Sequence, residues 1–228
     1  MDLDYLVKRH EREFENKKYV YIANEVNRTL IVAMSTHNFG ENYYMLRGLC
    51  ESCECSLLFI TDPINSYYLE EDQGASYQRL LQKFVKKYGC ENITLFGSSM
   101  SGYGALFHSL ELNTNAIVSN PQIDFKSSFD NAWSDLQNTL RKVEKNWVNI
   151  NDKITLMQNV NVQWFCAYGD NQLDAPNIKK LREVVKPNLR VTFQNIKDDT
   201  HGFYFKNKDN VFLLHRLMVE MRRVKISS

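Results

Sequence analysis

A serine in a small-residue turn, a histidine in a late loop and an aspartate between them could together carry out nucleophilic catalysis in this chain. The serine is Ser99, the histidine is His201, and the acid is Asp170 or Asp174. A serine hydroxyl becomes an effective nucleophile when a base takes its proton and a carboxylate orients that base. These residue types therefore predict acyl transfer through a covalent intermediate on Ser99.

The residues around Ser99 suit a sharp turn from a strand into a helix. The apolar run before it predicts a strand, and Gly102–Leu110 predicts a helix. Small residues two positions before and after the serine allow the strand and the helix to approach closely. Gly97 meets the first requirement, whereas Ser101 stands at the second position, where glycine is usual. Ser98 and Ser101 are alternative candidates for the nucleophile.

The base and the acid are selected by their positions relative to later strands. Of the five histidines, His201 lies in a loop between the last predicted strand and the last predicted helix. Asp170 follows an earlier strand and has an apolar residue, Leu173, three positions later. Asp174 could instead cap the helix that begins near Pro176. The spacing of Asp170 and Leu173 resembles that in many hydrolases, and this resemblance implies Asp170 as the acid, with Asp174 as the alternative.

The turn and the order of these residues resemble the α/β-hydrolase superfamily, whose nucleophile turn reads G-x-S-x-G and whose chain order is serine, acid, histidine. The resemblance implies an oxyanion hole formed by the backbone N–H of Met100 and by N–H groups of an early loop, at His37 and Asn38. Phe39 in that loop and Gln122 after another strand are candidate residues of the substrate pocket. A plain turn at Gln122 remains an alternative.

Two longer strings, FGSSMSGYGAL and NFGENYY, resemble bacterial serine esterases and O-acetyltransferases that act on surface polysaccharides. This resemblance implies either an O-acetylated sugar as substrate, or a sugar hydroxyl as acceptor with acetyl-CoA as donor. The sequence contains no motif for binding CoA. The alternative to an enzyme is an inactive hydrolase-like module for binding or assembly, which the serine at position 101 motivates.

Strands alternate with helices along the chain. The alternation predicts an α/β-hydrolase-like fold, a mainly parallel sheet with helices on both faces in three layers. The predicted strands are Tyr19–Ala23, Thr29–Met34, Ser56–Thr61, Ile93–Phe96, Ala116–Ser119, Val162–Tyr168 and Arg190–Asn195. From residue 77 onward, the predicted helices are Tyr77–Tyr88, Gly102–Leu110, Phe129–Asn146, Pro176–Val185 and Val211–Arg222. We expect the first two strands to be antiparallel neighbours.

Length and composition favour a single domain over residues 1–228. The charges of the 28 basic and 27 acidic residues nearly cancel, so the charge balance does not indicate a nucleic-acid partner. No apolar run predicts a signal peptide or a membrane span.

The odd number of cysteines, five, suits a reducing compartment, and the expected location is the cytoplasm. The C-x-x-C pair Cys50 and Cys53 has no second pair, so no metal site is expected. The sequence leaves the oligomeric state open.

Overall fold

A twisted, mostly parallel sheet forms the centre of the protein. The computed structural model describes residues 1–158 and 160–226, and within these ranges eight strands form one sheet in the order β1-β2-β4-β3-β5-β6-β7-β8. The strands are β1 Glu11–Phe14, β2 Lys17–Ile22, β3 Leu30–Met34, β4 Ser56–Ile60, β5 Ile93–Ser98, β6 Asn115–Ser119, β7 Val162–Tyr168 and β8 Leu189–Asn195. The six strands β4-β3-β5-β6-β7-β8 pair in parallel with their neighbours in this series. Strand β2 is antiparallel to both of its neighbours, β1 and β4.

Helices cover both faces of this sheet, which confirms the predicted three-layer architecture. The helices of the described residues are α1 Leu3–His10, α2 Leu46–Ser52, α3 Ala75–Tyr88, α4 Met100–Leu112, α5 Phe125–Asn131, α6 Ser134–Val143, α7 Ile150–Leu156, α8 Asp174–Val184 and α9 Lys208–Ile226. Strand β3 shows why two layers form, because its alternate side chains point to opposite faces. Leu30 and Val32 pack in the core under α3 and α4, and Ile31 packs in the core under α2 and α9.

The first long strands are not neighbours, contrary to the sequence-based expectation. Strand β2 pairs with β4 in an antiparallel register, and β4 lies between β2 and β3. All five residues of β4 are buried, as a strand with partners on both sides and helices on both faces should be. The polar segment after β2 therefore carries the chain past β4 to reach the next position in the sheet.

Two further differences concern local backbone geometry. The charged N-terminal segment forms α1 and β1, and a turn with positive φ at Glu15 and Asn16 joins β1 to β2. This turn geometry matches the twist of an antiparallel hairpin. The predicted helix Phe129–Asn146 is broken at Ala132 and Trp133, where the backbone is extended. The break brings Trp133 out of a helix and onto the rim of the sheet.

A buried histidine joins the last helix to the sheet. His215 of α9 is hydrogen-bonded through Nδ1 to Thr94 Oγ1 at 2.7 Å and through Nε2 to Thr29 Oγ1 at 2.9 Å. Burial, with smaller contributions from Arg223 and Arg216, lowers the pKa of His215 to about 3. Burial also lowers the pKa of His108 in α4 to about 4. Both imidazoles are therefore neutral in the folded protein near neutral pH.

These two histidines predict acid destabilisation. Because their pKa values in the folded state lie below that of an unfolded histidine, 6.5, the unfolded chain binds more protons between about pH 4 and 6.5. Stability is therefore complete above that range and falls as the pH falls through it, by about 1.4 kcal/mol per pH unit for each group. Urea unfolding at several pH values measures this slope, and His215→Gln should make it shallower. An equal slope in the two proteins would contradict the assignment.

None of the helices in the described ranges combines the length and the hydrophobicity that crossing a lipid bilayer requires.

Candidate active site

Ser99 occupies the sharp turn that its neighbours predict. Strand β5 ends at Ser98 and helix α4 begins at Met100, so Ser99 alone joins them, with φ 54° and ψ −117°. This backbone conformation is rare for an L-residue and costs about 1–3 kcal/mol. The N–H of Ser99 donates to Ser119 O of the adjacent strand β6 at 2.9 Å, which helps to hold the turn.

The small residues on either side of Ser99 fit the turn without further strain. A Cβ at Gly97 would overlap the carbonyl group of Ser101, so only glycine fits there. The Ser101 hydroxyl donates to Ser98 O at 3.0 Å and accepts from Ser98 N at 2.9 Å. Serine at position 101, where glycine is usual, therefore stabilises the turn. A second close approach occurs at Gly102, where a Cβ would lie 3.2 Å from Pro121 Cα.

Ser99 is the serine of this turn that meets a base. His201 Nε2 lies 2.8 Å from Ser99 Oγ, and His201 Nδ1 lies 2.6 Å from Asp174 Oδ1. The alternative serines make other contacts, because the hydroxyl of Ser98 accepts from Ser119 at 2.9 Å and that of Ser101 bonds the Ser98 backbone. The structure thus brings together a serine, an imidazole and a carboxylate in one hydrogen-bonded series.

Asp174 is the carboxylate in this series, and the expected contact between Asp170 and His201 is not formed. Asp174 is the first residue of α8 and is only 1% exposed. Asp170 is exposed, and its Oδ1 accepts from Asn195 Nδ2 at the end of β8 at 2.7 Å. The reason lies in the turn before α8, where the Asn171 side chain accepts from Leu173 N at 2.9 Å. This turn directs Asp170 toward β8 and directs Asp174, the first residue of α8, toward His201.

Burial shapes the electrostatics of the acid. It raises the pKa of the Asp174 carboxyl, and the hydrogen bond with His201 acts in the opposite direction. Among the described residues, no hydrogen-bond donor reaches Asp174 Oδ2. His201 is therefore the group that satisfies this buried carboxylate, and a positive charge on the imidazole would strengthen the contact.

Asn120, which follows β6, fixes the loops that lead to Asp174 and that contain His201. Its Nδ2 donates to Gly202 O at 2.7 Å, and its Oδ1 accepts from Gly169 N at 3.0 Å. A Cβ at Gly169 would overlap Asp198 O, so the two loops also meet directly. Each loop follows a neighbouring strand, β7 or β8, and the Asn120 side chain holds them in register.

The early loop lies against the turn, as an oxyanion hole would require. Thr36 Oγ1 donates to Ser98 O at 2.8 Å. Met100 is the first residue of α4, and N–H groups of a first helical turn have no acceptor within the helix. The backbone N–H of Asn38 donates to Asn65 Oδ1 at 3.0 Å. The Asn38 N–H is therefore already used, and the His37 N–H is the remaining candidate for the second donor.

The side chain of His37 contacts protein groups. Its Nε2 lies 2.9 Å from Thr139 Oγ1 of α6. Burial lowers the pKa of His37, and the Asp135 carboxylate acts in the opposite direction. A neutral imidazole tied to α6 holds the loop in place, which fits a role for its backbone N–H.

The chain matches the model of a protein family over residues 64–204, described as "Uncharacterised protein family (UPF0227)". The chain belongs to this family. The matched range of UPF0227 contains Ser99, Asp174 and His201, and it begins after the early loop. No curated protein matches the sequence.

Solved structures with a similar fold include acetyltransferases and esterases. Capsule O-acetyltransferase of Neisseria meningitidis serogroup A is 17% identical, with a TM-score of 0.66 over 96% of this chain and 94% of that chain. A histidine-to-alanine mutant of that enzyme in complex with CoA is 14% identical, with a TM-score of 0.66 over 92% and 93%. Acetyl xylan esterase 1 from Thermoanaerobacterium sp. JW/SL YS485 is 10% identical, with a TM-score of 0.65 over 90% and 78%. This UPF0227 member therefore has an α/β-hydrolase-like fold.

The two expected pocket residues occupy different surroundings in this UPF0227 protein. Phe39 is partly exposed and packs edge-on against Tyr44, with ring centroids 5.4 Å apart. Gln122 is fully buried, and its Nε2 donates to Ser99 Oγ at 3.0 Å. Gln122 thus contacts the serine itself, whereas the sequence had indicated a residue of the substrate pocket or of a plain turn.

Trp133 is a residue of the site that sequence reasoning missed. Its side chain is 48% exposed, and its ring centroid lies 5.6 Å from that of His201. Polar groups lie close by in sequence and space, since Asp135 Oδ2 accepts from Asn38 Nδ2 at 3.1 Å. The amphipathic pattern placed Trp133 inside a long helix, so no signal in the sequence indicated its exposure.

Proposed function

We propose that this protein is a serine-dependent acyl-transfer enzyme, an O-acetyltransferase or acetyl esterase that acts on a bacterial surface carbohydrate through an acyl-enzyme on Ser99. The observation that carries the proposal is the series Ser99 Oγ, His201 and Asp174, joined at 2.8 and 2.6 Å at the carboxyl edge of the sheet. Ligands of open α/β sheets bind at this edge. Acyl transfer by the structural relatives supports the same reaction class.

In the proposed reaction, Ser99 Oγ attacks the carbonyl carbon of an acetyl ester or thioester. Its proton passes to His201 Nε2, and Asp174 stabilises the imidazolium that forms. The backbone N–H groups of Met100 and His37 stabilise the negative carbonyl oxygen. The bond to the leaving oxygen or sulfur breaks, the leaving group takes the proton from His201, and the acetyl group remains on Ser99.

The second half of the reaction releases the acetyl group. Water or a sugar hydroxyl gives its proton to His201 and attacks the acyl-enzyme, and Ser99 Oγ recovers the proton. With water the enzyme is an esterase. With a sugar hydroxyl it is a transferase, and acetyl-CoA is the donor that we propose, in line with the CoA complex of the structural relative.

Trp133 supports a carbohydrate as substrate or acceptor. Sugar rings present C–H groups on their faces and hydroxyl groups on their edges. A half-exposed indole beside His201 offers a flat apolar surface, and Asn38 and Asp135 offer polar groups near it. Such a combination orients a ring with one apolar face and a polar edge.

The test is mass spectrometry of the intact protein after incubation with acetyl-CoA and, separately, with an acetylated oligosaccharide. We expect a mass gain of one acetyl group, which digestion should assign to the peptide that contains Ser99. The donor that gives this gain identifies the first substrate. Ser99→Ala is the control and should gain nothing. If the wild-type protein is also unlabelled by a fluorophosphonate probe, the proposal is wrong, and the alternative of an inactive binding or assembly module takes its place.

A further inference from the structure

The nucleophile has a second side-chain partner besides His201. Gln122 follows β6 at the same edge of the sheet, and it is 0% exposed. Its Nε2 lies 3.0 Å from Ser99 Oγ, and its Oε1 accepts a hydrogen bond from the Tyr67 hydroxyl. Tyr67 is also fully buried, with its ring packed edge-on against Tyr103 and Phe125.

The direction of each hydrogen bond in this series follows from the acid. The carboxylate of Asp174 can only accept, so His201 Nδ1 carries the proton and His201 Nε2 is an acceptor. Ser99 therefore donates its hydroxyl proton to His201, and its oxygen accepts from Gln122. The amide oxygen of Gln122 then faces Tyr67, whose hydroxyl must be the donor.

The Tyr67 hydroxyl is suited to be a permanent donor. Burial raises the pKa of Tyr67, with a smaller contribution in the same direction from the carboxylate of Asp62. The phenol is therefore protonated at neutral pH. It holds the Gln122 amide in one orientation, with the N–H groups toward Ser99.

We infer that Gln122 is a catalytic residue of the proposed acyl transfer and that Tyr67 is a positioning residue acting through it. This inference rests on the proposed function of Ser99. The Gln122 amide directs the lone pairs and the proton of Ser99, so that the hydroxyl points to His201 before attack. Negative charge builds on Oγ when its proton leaves and again when the Oγ–acyl bond breaks, and the amide N–H stabilises that charge in both steps.

Removing the donor should slow the reaction without preventing folding. Gln122→Met keeps a similar volume and removes the N–H group. We expect it to lower the rate of fluorophosphonate labelling and kcat for p-nitrophenyl acetate by about tenfold to hundredfold, the effect of one hydrogen bond to a developing charge. KM should change much less, because the amide contacts Ser99 and not the bound ester.

Gln122→Glu tests the direction of the bond. The side chain is close in shape, and its ionised form can only accept, so that form competes with His201 for the serine proton. We expect a loss at least as large as that of Gln122→Met. Activity equal to wild type in both variants, with intact folding by circular dichroism, would overturn the inference and leave the proposed function standing.

Tyr67→Phe tests the positioning role. It retains the buried ring and removes the hydroxyl that orients Gln122, so we expect a loss smaller than that of Gln122→Met. In the Gln122→Met background, Tyr67→Phe should cause no further loss, because its effect passes through the amide.

Tyr103→Phe is the matched control, since this buried hydroxyl donates to Val148 O at 2.7 Å and should not affect the rate. Additive losses from Tyr67→Phe and Gln122→Met would contradict the positioning role of Tyr67. Wild-type protein that fails to label at Ser99 would instead overturn the proposed function and this inference with it.

Discussion

Ser99→Ala is expected to lower acyl transfer by on the order of 10⁴-fold or more, because without its hydroxyl no acyl-enzyme can form. The variant should fold normally. Alanine retains the Cβ, and the bond from Ser99 N to Ser119 O at 2.9 Å involves only backbone. Steady-state hydrolysis of p-nitrophenyl acetate and labelling by a fluorophosphonate probe both measure the loss. His201→Ala should cause a loss of similar size, and the double variant should be no slower than either single one, because the two residues act as a unit.

Two neighbouring serines provide controls for this experiment. Ser98→Ala and Ser101→Ala each remove a hydroxyl within the same turn, and neither hydroxyl is bonded to His201. Ser98→Ala should remain within a few-fold of wild type. Ser101→Ala should lose stability through its two bonds to Ser98 while it retains labelling at Ser99. Loss of labelling in Ser98→Ala with full labelling in Ser99→Ala would assign the nucleophile to the other serine.

Asp174→Asn is the second large effect that we expect, a fall in kcat on the order of 10³–10⁴-fold. The amide is neutral and cannot stabilise the imidazolium that forms when His201 takes the serine proton. Its NH₂ group can also donate to Nδ1, which would favour the tautomer with the proton on Nε2 and remove the acceptor for Ser99. Because Oδ2 has no donor among the described residues, His201 has no competitor for this carboxylate. Hydrolysis kinetics at several pH values test the prediction.

Asp170→Asn is the matched control for the acid. Asp170 lies four residues before Asp174 in the same connection, but it contacts Asn195 and not His201. We expect its kcat to remain within a few-fold of wild type. The reverse result, a large loss in Asp170→Asn and a small one in Asp174→Asn, would restore the sequence-based preference for Asp170.

The sequence could predict the sheet and the region of the site because both depend on local patterns. Apolar runs separated by amphipathic segments identified the buried strands, and the rule that ligands bind at strand carboxyl ends brought Ser99 and His201 to one edge. The order of strands depends on long-range pairing, so the insertion of β4 between β2 and β3 had no local signal.

The sequence did not indicate which aspartate contacts His201, for a related reason. Both aspartates lie in one short connection, and a turn of a few residues decides which carboxylate faces the imidazole. The side-chain bond from Asn171 to Leu173 N sets that turn. The contact of Gln122 with Ser99 was equally out of reach, because it depends on how the segment after β6 packs under the turn.

The arrangement of the strands also has a consequence for how activity is lost and recovered. His201 follows β8, which is an edge strand with β7 as its neighbour, whereas Ser99 follows β5 near the middle of the sheet. Edge elements open at lower free energy than central ones. Opening of this edge separates the imidazole from the hydroxyl while the rest of the sheet remains paired. We therefore expect loss of the proposed activity on heating to precede global unfolding, and its regain to come late in refolding.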